Sequence, residues 1–304
     1  MGRIITDLKS SFSRGGILLQ LIYINIGVFV VGAVTDVLLQ LFRIDIAAPL
    51  QQYLSLPADI SHLLYAPWTL FTYMFVHAGL LHILFNMLWL YWFGALFLYV
   101  FSTKHLRGLY ILGGLCGGVF YILAYNLFPL FSAEVGGATL VGASASVLAI
   151  VVATAYREPD YPIRLFLLGS IRVKYLALIV IGLDVLSITS ANAGGHIAHL
   201  GGALAGWWFA ASLSKGTDLT AGINWVLDAL ASLFDSKTWK RQRRPKMKIH
   251  YGEGVSDREK DYDYNVHKKE QSDEIDRILD KLKRSGYNSL SAEEKKRLFD
   301  ASKK

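Results

Sequence analysis

Four residues have the types and spacing that peptide-bond cleavage needs: Ser144, His199, His82 and Asn86. A serine hydroxyl attacks a carbonyl only when a neighbour takes its proton, and histidine titrates close enough to neutrality to do so. Ser144 lies in Gly142-Ala143-Ser144-Ala145-Ser146, at the start of an apolar run. His199 lies in Gly194-Gly195-His196-Ile197-Ala198-His199, at the start of another. The tetrahedral oxyanion then needs hydrogen-bond donors, each worth roughly 3 kcal/mol. The Asn86 amide, the His82 ring and the Ser144 backbone N–H are candidates, and His82 and Asn86 share a helical face at i,i+4 spacing. His196 competes with His199 for the base role, being on the same face and nearer water. Asn86 can instead join helices by hydrogen bonding. Ser146 reads as a packing residue and His77 as a rim or loop-bonding histidine.

These residues must be positioned by membrane helices. Of the 304 residues, 53% are hydrophobic, and apolar runs of the length that crosses a bilayer, about 20 residues, recur along the chain. Six spans are predicted: Ile17 to Leu39, Leu80 to Phe101, Leu106 to Phe128, Ala143 to Tyr156, Tyr175 to Ile188 and His196 to Leu213. The first reads as a retained span and not a cleaved signal, because no short apolar core with a small-residue cleavage site is present. The fourth is short and needs shielded ends.

Basic residues set the orientation. Arg3, Lys9 and Arg14 precede the first span, Lys104 and Arg107 join the second to the third, and Arg157, Arg164, Arg172 and Lys174 join the fourth to the fifth. On the other side Arg43 stands alone. Both termini are therefore expected in the cytosol. The second, fourth and sixth spans then place His82, Asn86, Ser144 and His199 at one depth near the outer surface. Polar groups at that depth are costly and are functional suspects by default. Small residues permit close packing there: Gly201, Gly202 and Gly206 on the sixth span, Gly142, Ala145, Ala149 and Ala153 on the fourth.

After the spans the composition changes. The formal net charge of +7 is concentrated from Lys215 onward, which fits anionic lipid and not nucleic acid as the partner. Ile223, Val226, Leu227, Leu230, Leu233 and Phe234 recur at helical spacing before a basic cluster, the pattern of an interfacial helix. The chain divides into residues 1–214 with the spans, 215–244 with the amphipathic helix and basic segment, a flexible linker over 245–271, and a cytosolic helical hairpin over 272–304. In the hairpin Gly286 is a stop signal, and Ser291 with Glu294 forms a capping box. The single cysteine, Cys116, excludes an intrachain disulfide and a thiol metal cluster. Paired glycines at Gly113, Gly114, Gly117 and Gly118 lack the lysine of a phosphate loop and read as packing positions.

The motifs resemble a known family. Pro67-Trp68, His77-Ala78-Gly79 and His82-Ile83-Leu84-Phe85-Asn86 are similar to the second-span signature of rhomboid intramembrane serine proteases. Gly142-Ala143-Ser144-Ala145 resembles their serine motif and Ala198-His199-Leu200-Gly201-Gly202 their histidine motif. The likeness runs from about Ala66 to Ala211, in family order. It implies a catalytic dyad of Ser144 and His199, oxyanion stabilisation by His82, Asn86 and Ser144, and cleavage of membrane-spanning substrates near their outer ends. The sequence departs from the family at Thr69, where arginine is frequent, at Leu98, where glutamate is frequent, and at Leu148, where tyrosine often stacks on the histidine. Asp184, the sole acid well inside a span, can orient a histidine as in a triad; the dyad resemblance favours a structural hydrogen bond.

The fold expected is thus an all-α membrane protein, a six-transmembrane-helix rhomboid-like bundle with a small C-terminal hairpin. It is expected in a cytoplasmic membrane of bacterial type, acting on single-pass or polytopic membrane proteins without a cofactor. Two rivals stand beside this. One is a rhomboid-fold protein that binds membrane partners without turnover. The other is a metal site drawing on His77, His82, His196 and His199.

Overall fold

The computed structural model describes residues 16–44, 53–165, 169–234, 269 and 273–301. Helix α1, Gly16–Leu41, is 26 residues long and almost wholly apolar. At 1.5 Å per residue it is about 39 Å long, more than a hydrocarbon core of about 30 Å needs. It buries Leu18, Leu21, Ile22 and Asn25, while Val31, Val34, Val37 and Leu41 are exposed, as a lipid-facing surface requires.

The segment between the first and second predicted spans carries short elements of its own. Strand β1 (Leu56–Pro57), helix α2 (Ile60–Tyr65), helix α3 (Thr69–Thr72) and a 3₁₀ turn (Tyr73–Phe75) fold along it. Asp59 caps α2 by accepting from the Ser61 N–H. Trp68 Nε1 donates to Tyr53 O at 2.8 Å, and Thr72 Oγ1 donates to Leu54 O at 2.8 Å. Thr69, the first departure from the family pattern, is fully buried and donates to Ala66 O at 2.7 Å. These bonds satisfy backbone carbonyls of the connection that no helix or strand takes up.

Helix α4 spans Leu80–Val100 and helix α5 spans Thr103–Leu127. Ser102 caps α5 through the His105 N–H. Strand β2 (Thr139–Leu140) pairs antiparallel with β1, Leu56 opposite Leu140. Helix α6 is Ser144–Arg157; a hairpin of β3 (Pro162–Leu165) and β4 (Gly169–Arg172) follows, then α7 (Val173–Leu186) and α8 (Ala193–Leu213). The protein is mostly helical, as expected, with two small antiparallel ladders beside the helices. Both lie in loops, where pairing satisfies backbone groups that no helix takes up.

By length and composition, α1, α4 and α5 can each cross a membrane. Helices α6 and α7 have 14 residues each. The centre is built by α5, α6 and α8, which pack on one another more than any other helices do. Small residues make this possible. A Cβ on Gly117 would stand 2.6 Å from Ala145 Cβ, and one on Gly201 would stand 2.7 Å from Cys116 O. The paired glycines of α5 are therefore packing positions, as read. Helix α6 is buried along nearly its whole length, from Ala145 to Ala155.

Helix α9, Ala221–Phe234, docks on the start of α5. Arg107 Nε donates to Asn224 Oδ1 at 2.9 Å, and Arg107 Nη2 pairs with Asp228 at 2.8 Å. Trp225, Val226, Leu230 and Leu233 remain exposed on it. The basic cluster from Lys237 to Arg244 and nearly all of the linker over 245–271 lie outside the described residues.

Residues from Trp239 onward form a separate unit. In it α10 (273–285) ends at Gly286, whose φ is +77°, and α11 is Ala292–Ala301. Glu294 N–H donates to Ser291 Oγ at 3.2 Å while Ser291 N–H donates to Glu294 Oε2 at 2.7 Å, a reciprocal capping box. Lys281 bonds Glu294 at 2.9 Å, Arg297 pairs with Glu274, and Ile278 and Leu290 are buried.

Candidate active site

Ser144 opens α6, and its predecessor Ala143 provides no side-chain cap. The first N–H groups of the helix therefore have no intrahelical partner, and the positive end of the helix dipole lies at the hydroxyl. The backbone before Ser144 is held by Gly142, whose N–H donates to Tyr73 O at 3.0 Å. Gly142 has φ +127°, and a Cβ there would stand 2.9 Å from His82 Nε2. Glycine is required on both counts, conformation and space.

Tyr73 is itself pinned. Its hydroxyl donates to Gly114 O at 2.6 Å. Beside it, the Tyr110 hydroxyl donates to Met74 O at 3.1 Å and meets Asn25 Nδ2 at 3.0 Å. The serine loop thus rests on the 3₁₀ turn, the turn on α5, and α5 on α1. Sequence reading missed Asn25 and Tyr110. A buried asparagine inside an otherwise apolar span was the available signal.

His82 lies in the first turn of α4 and is half-buried. Its Nδ1 accepts from the Ala78 N–H at 3.3 Å. In the neutral ring the proton then sits on Nε2, on the side of the ring that faces Gly142, and is available as a donor. Asn86 is buried, and its Nδ2 donates to His82 O at 2.9 Å; the second N–H of the amide is left for other partners. His77 is also buried, with its ring centroid 5.2 Å from that of His82. Of the two places expected for it, rim or loop contact, burial rules out the rim.

Ser144, Asn86 and His199 line two adjoining cavities. One, of about 200 Å³, is walled by Phe85, Trp89, Val147, Leu148 and Val180. The other, of about 690 Å³, is more polar and also takes in His82, Tyr121, Glu134 and Asn192. His196 lines neither. The structure thus brings Ser144, His199, His82 and Asn86 together, and sets His196 behind them. Among the described hydrogen bonds none joins Ser144 Oγ to His199. Such contacts commonly tighten only when substrate is bound.

The two histidines of α8 share one partner. His196 Nδ1 lies 2.8 Å and His199 Nδ1 2.9 Å from the same oxygen, Asp184 Oδ1. Asp184, on α7, is 4% exposed. Ser146 is buried against Gly114 and takes no part in the cavities.

Asp184, His196 and His199 are also the residues a metal ion could use, their ligand atoms lying within 4.8 Å of one another. Hydrogen bonds account for that spacing unaided. The four-histidine set expected for the metal reading does not gather as one group among the described residues.

The arrangement can perform acyl transfer. It offers a hydroxyl at a helix start, an imidazole whose Nε2 is free, and donors on a neighbouring helix. A curated relative, "RHOMBOID-like protein 12, mitochondrial" of Arabidopsis thaliana, is 33% identical over 144 residues, covering 44% of this chain and 43% of the relative. The chain thus spans less than half the length of that relative. Residues 258–304 match a family of unknown function, DUF6576. Residues 65–216, which hold the serine, both cavity histidines and the asparagine, match the Rhomboid domain, and the chain belongs to the rhomboid family of membrane proteins.

Proposed function

We propose that the protein is an intramembrane serine endopeptidase that cleaves membrane-spanning substrates near their outer ends. The observation that carries this is the shared cavity wall of Ser144, His199 and Asn86, with His82 against the serine loop. His199 Nε2 takes the proton of Ser144 Oγ as the oxygen bonds to the substrate carbonyl carbon. The carbonyl oxygen becomes an oxyanion and is met by Asn86 Nδ2, His82 Nε2 and the Ser144 backbone N–H. His199 then gives its proton to the departing amine, leaving an acyl-enzyme. Water, activated by the same imidazole, releases the acid and restores the serine. The polar cavity beside Ser144 supports access for that water.

The substrate helix must unwind locally, because a helical carbonyl is already hydrogen-bonded. Small or helix-breaking residues near its outer end are therefore expected. Six membrane spans over residues 1–214, with both termini cytosolic, agree with the helix order and the basic loops. The location proposed is a bacterial-type cytoplasmic membrane, although the curated relative carries the word mitochondrial in its name. Anionic lipid is proposed to hold the segment 215–244, through the exposed face of α9 and the basic cluster after it. Residues 272–304 are proposed to form a cytosolic hairpin.

A second reading is that the chain binds membrane partners without turnover. The absence of a Ser144–His199 hydrogen bond among the described contacts favours it. A fluorophosphonate probe separates the two. In the first reading reconstituted protein is labelled at Ser144, and both Ser144→Ala and His199→Ala abolish labelling and cleavage of a model transmembrane substrate. Wild-type protein that takes no label supports the second.

A further inference from the structure

We infer that Asp184 is the positioning residue for His199, and that His196 clamps Asp184 in that role. The inference rests on the peptidase reading of Ser144 and His199. It goes beyond a serine–histidine pair by adding a carboxylate and a second imidazole.

The placement of Asp184 is costly. Its neighbours Leu183, Val185 and Leu186 are exposed on the apolar surface of α7, while Asp184 turns inward and is 4% exposed. A carboxylate at such a position needs compensation by paired hydrogen bonds. It finds two, both on Oδ1, from His196 Nδ1 and His199 Nδ1. Oδ2 is buried with no hydrogen-bond partner among the described residues. An apolar side chain would fill the same place between α7 and α8 without that cost, so packing alone does not account for an acid there.

The contact has a chemical consequence. A carboxylate oxygen only accepts, so each histidine must carry its proton on Nδ1. That leaves the His199 Nε2 lone pair free, and His199 lines the cavity with Ser144. When Nε2 takes the serine proton, His199 becomes an imidazolium with both nitrogens protonated, and Asp184 stays ionised beside it. Of the residues that line the small cavity with His199, Phe85, Val147, Leu148 and Val180 carry no side-chain hydrogen-bonding group, and among the described hydrogen bonds the His199 ring meets Asp184. Asp184 therefore sets both the tautomer and the tilt of the ring.

His196 supports this from outside the cavity. Its ring lies 6.0 Å from that of His199, nearly perpendicular to it. Because it donates to the same oxygen, it fixes the carboxylate rotamer on which His199 depends. The titratable groups facing His199 from the surrounding elements are Asp184 on α7, His196 on α8, His82 on α4, Tyr121 and Tyr125 on α5, and Glu134 in the following loop.

The test compares full-length wild type, Asp184→Asn, Asp184→Glu and His196→Gln in reconstituted membranes. Fluorophosphonate labelling of Ser144 is followed across pH, with thermal unfolding measured in parallel. For Asp184→Asn the expected result is labelling slowed ~10²–10⁴-fold, with a pH profile that departs from wild type, because the charged partner of His199 is gone. Asp184→Glu recovers part of the rate, and His196→Gln, which loses the ring that holds the carboxylate, lowers the rate by less than Asp184→Asn does. Wild-type rate and pH profile in a folded Asp184→Asn protein overturn the inference.

Should the variants fail to fold, nitrogen-15 spectra of histidine-labelled wild type still decide. His199 protonated on Nδ1 supports the inference, and protonated on Nε2 in the neutral ring overturns it. Wild type that resists labelling, yet shows the Nδ1–H form, sinks the peptidase reading and leaves the hydrogen-bonded cluster standing.

Discussion

Gly202 of α8 rests directly on the backbone carbonyl of Ala145, one residue after Ser144, so that any Cβ on the glycine would overlap the carbonyl oxygen. Gly206 makes the same contact with Ala149 one turn on. The helix that carries His199 is thereby set against the helix that carries Ser144 by backbone contact, with no side chain between. Backbone cannot swing aside as a flexible side chain can, so the helices themselves must separate if the glycine is enlarged.

Gly202→Val is therefore expected to destabilise the protein by about 3 kcal/mol, the upper end for overpacking, and to abolish Ser144 labelling. Gly222→Ala, where a Cβ meets nothing within 4 Å, serves as the control and should change neither. Thermal unfolding in detergent micelles and probe labelling provide the two measurements. A Gly202→Val protein with wild-type melting and labelling would show that α6 and α8 are not in backbone contact.

Gly142→Ala isolates the serine loop. Its φ of +127° is one an alanine rarely adopts, and the new Cβ would press on the His82 ring. The expected cost is about 1–3 kcal/mol of local strain, relieved by moving the loop. Labelling of Ser144 should fall at least ~10-fold, the equivalent of about 1.4 kcal/mol. Thermal stability should fall less than for Gly202→Val, because the helix contacts remain.

The oxyanion assignment is tested by His82→Ala and Asn86→Ala. Each removes a donor aimed at charge that develops only in the transition state. Each should lower kcat by ~10²–10³-fold with KM little changed. A rise in KM at constant kcat would instead mark the residue as a substrate-binding group.

Much of this site was legible because the helices are apolar runs bounded by charge and glycine. The predicted Leu80 to Phe101 and the observed Leu80–Val100 differ by one residue at one end. Ser144 and His199 could be set at one depth because the order of the runs determines which ends share a surface. The joint role of Asp184 could not be read in the same way. The carboxylate oxygen meets two histidines because α7 ends at Leu186 and α8 begins at Ala193, and the turn between them decides which faces oppose. No periodicity encodes that. The β1–β2 ladder escaped for a similar reason: two residues on each side are too few for an alternating pattern.

The docking of α9 should respond to acid. Arg107 donates to Asp228, and this bond, with the charges of Arg107 and Lys104, holds the Asp228 carboxyl below its ordinary value of 3.8. A carboxylate with a lowered folded-state value stabilises the docked form at every pH above its ordinary value. That contribution falls away as pH drops through the folded value. A spin label on Leu233→Cys, in a Cys116→Ser background, should therefore report an unchanged immobilised helix from neutral pH down to about 4 and rising mobility below it. In Asp228→Asn the carboxylate is absent at every pH, so the label should already be more mobile at neutrality, and its acid response should shrink. An acid transition of equal size in both proteins would place its cause elsewhere.

The capping box of the C-terminal unit offers a test that leaves the membrane site alone. Ser291 Oγ accepts from the Glu294 N–H, and the Glu294 carboxylate accepts from the Ser291 N–H and from Lys281 on α10. Ser291→Ala removes the first of these and weakens the geometry of the second. The expected loss is about 1 kcal/mol of helix stability, or roughly five-fold faster amide exchange over Ala292–Ala301 in the full-length protein. Ser291→Asp, which keeps an acceptor at the same position, should recover most of the protection. Labelling of Ser144 should be the same in all three proteins, because Ser291 belongs to a separate unit of the chain. Unchanged exchange in Ser291→Ala would mean that the Lys281–Glu294 contact alone secures the start of α11.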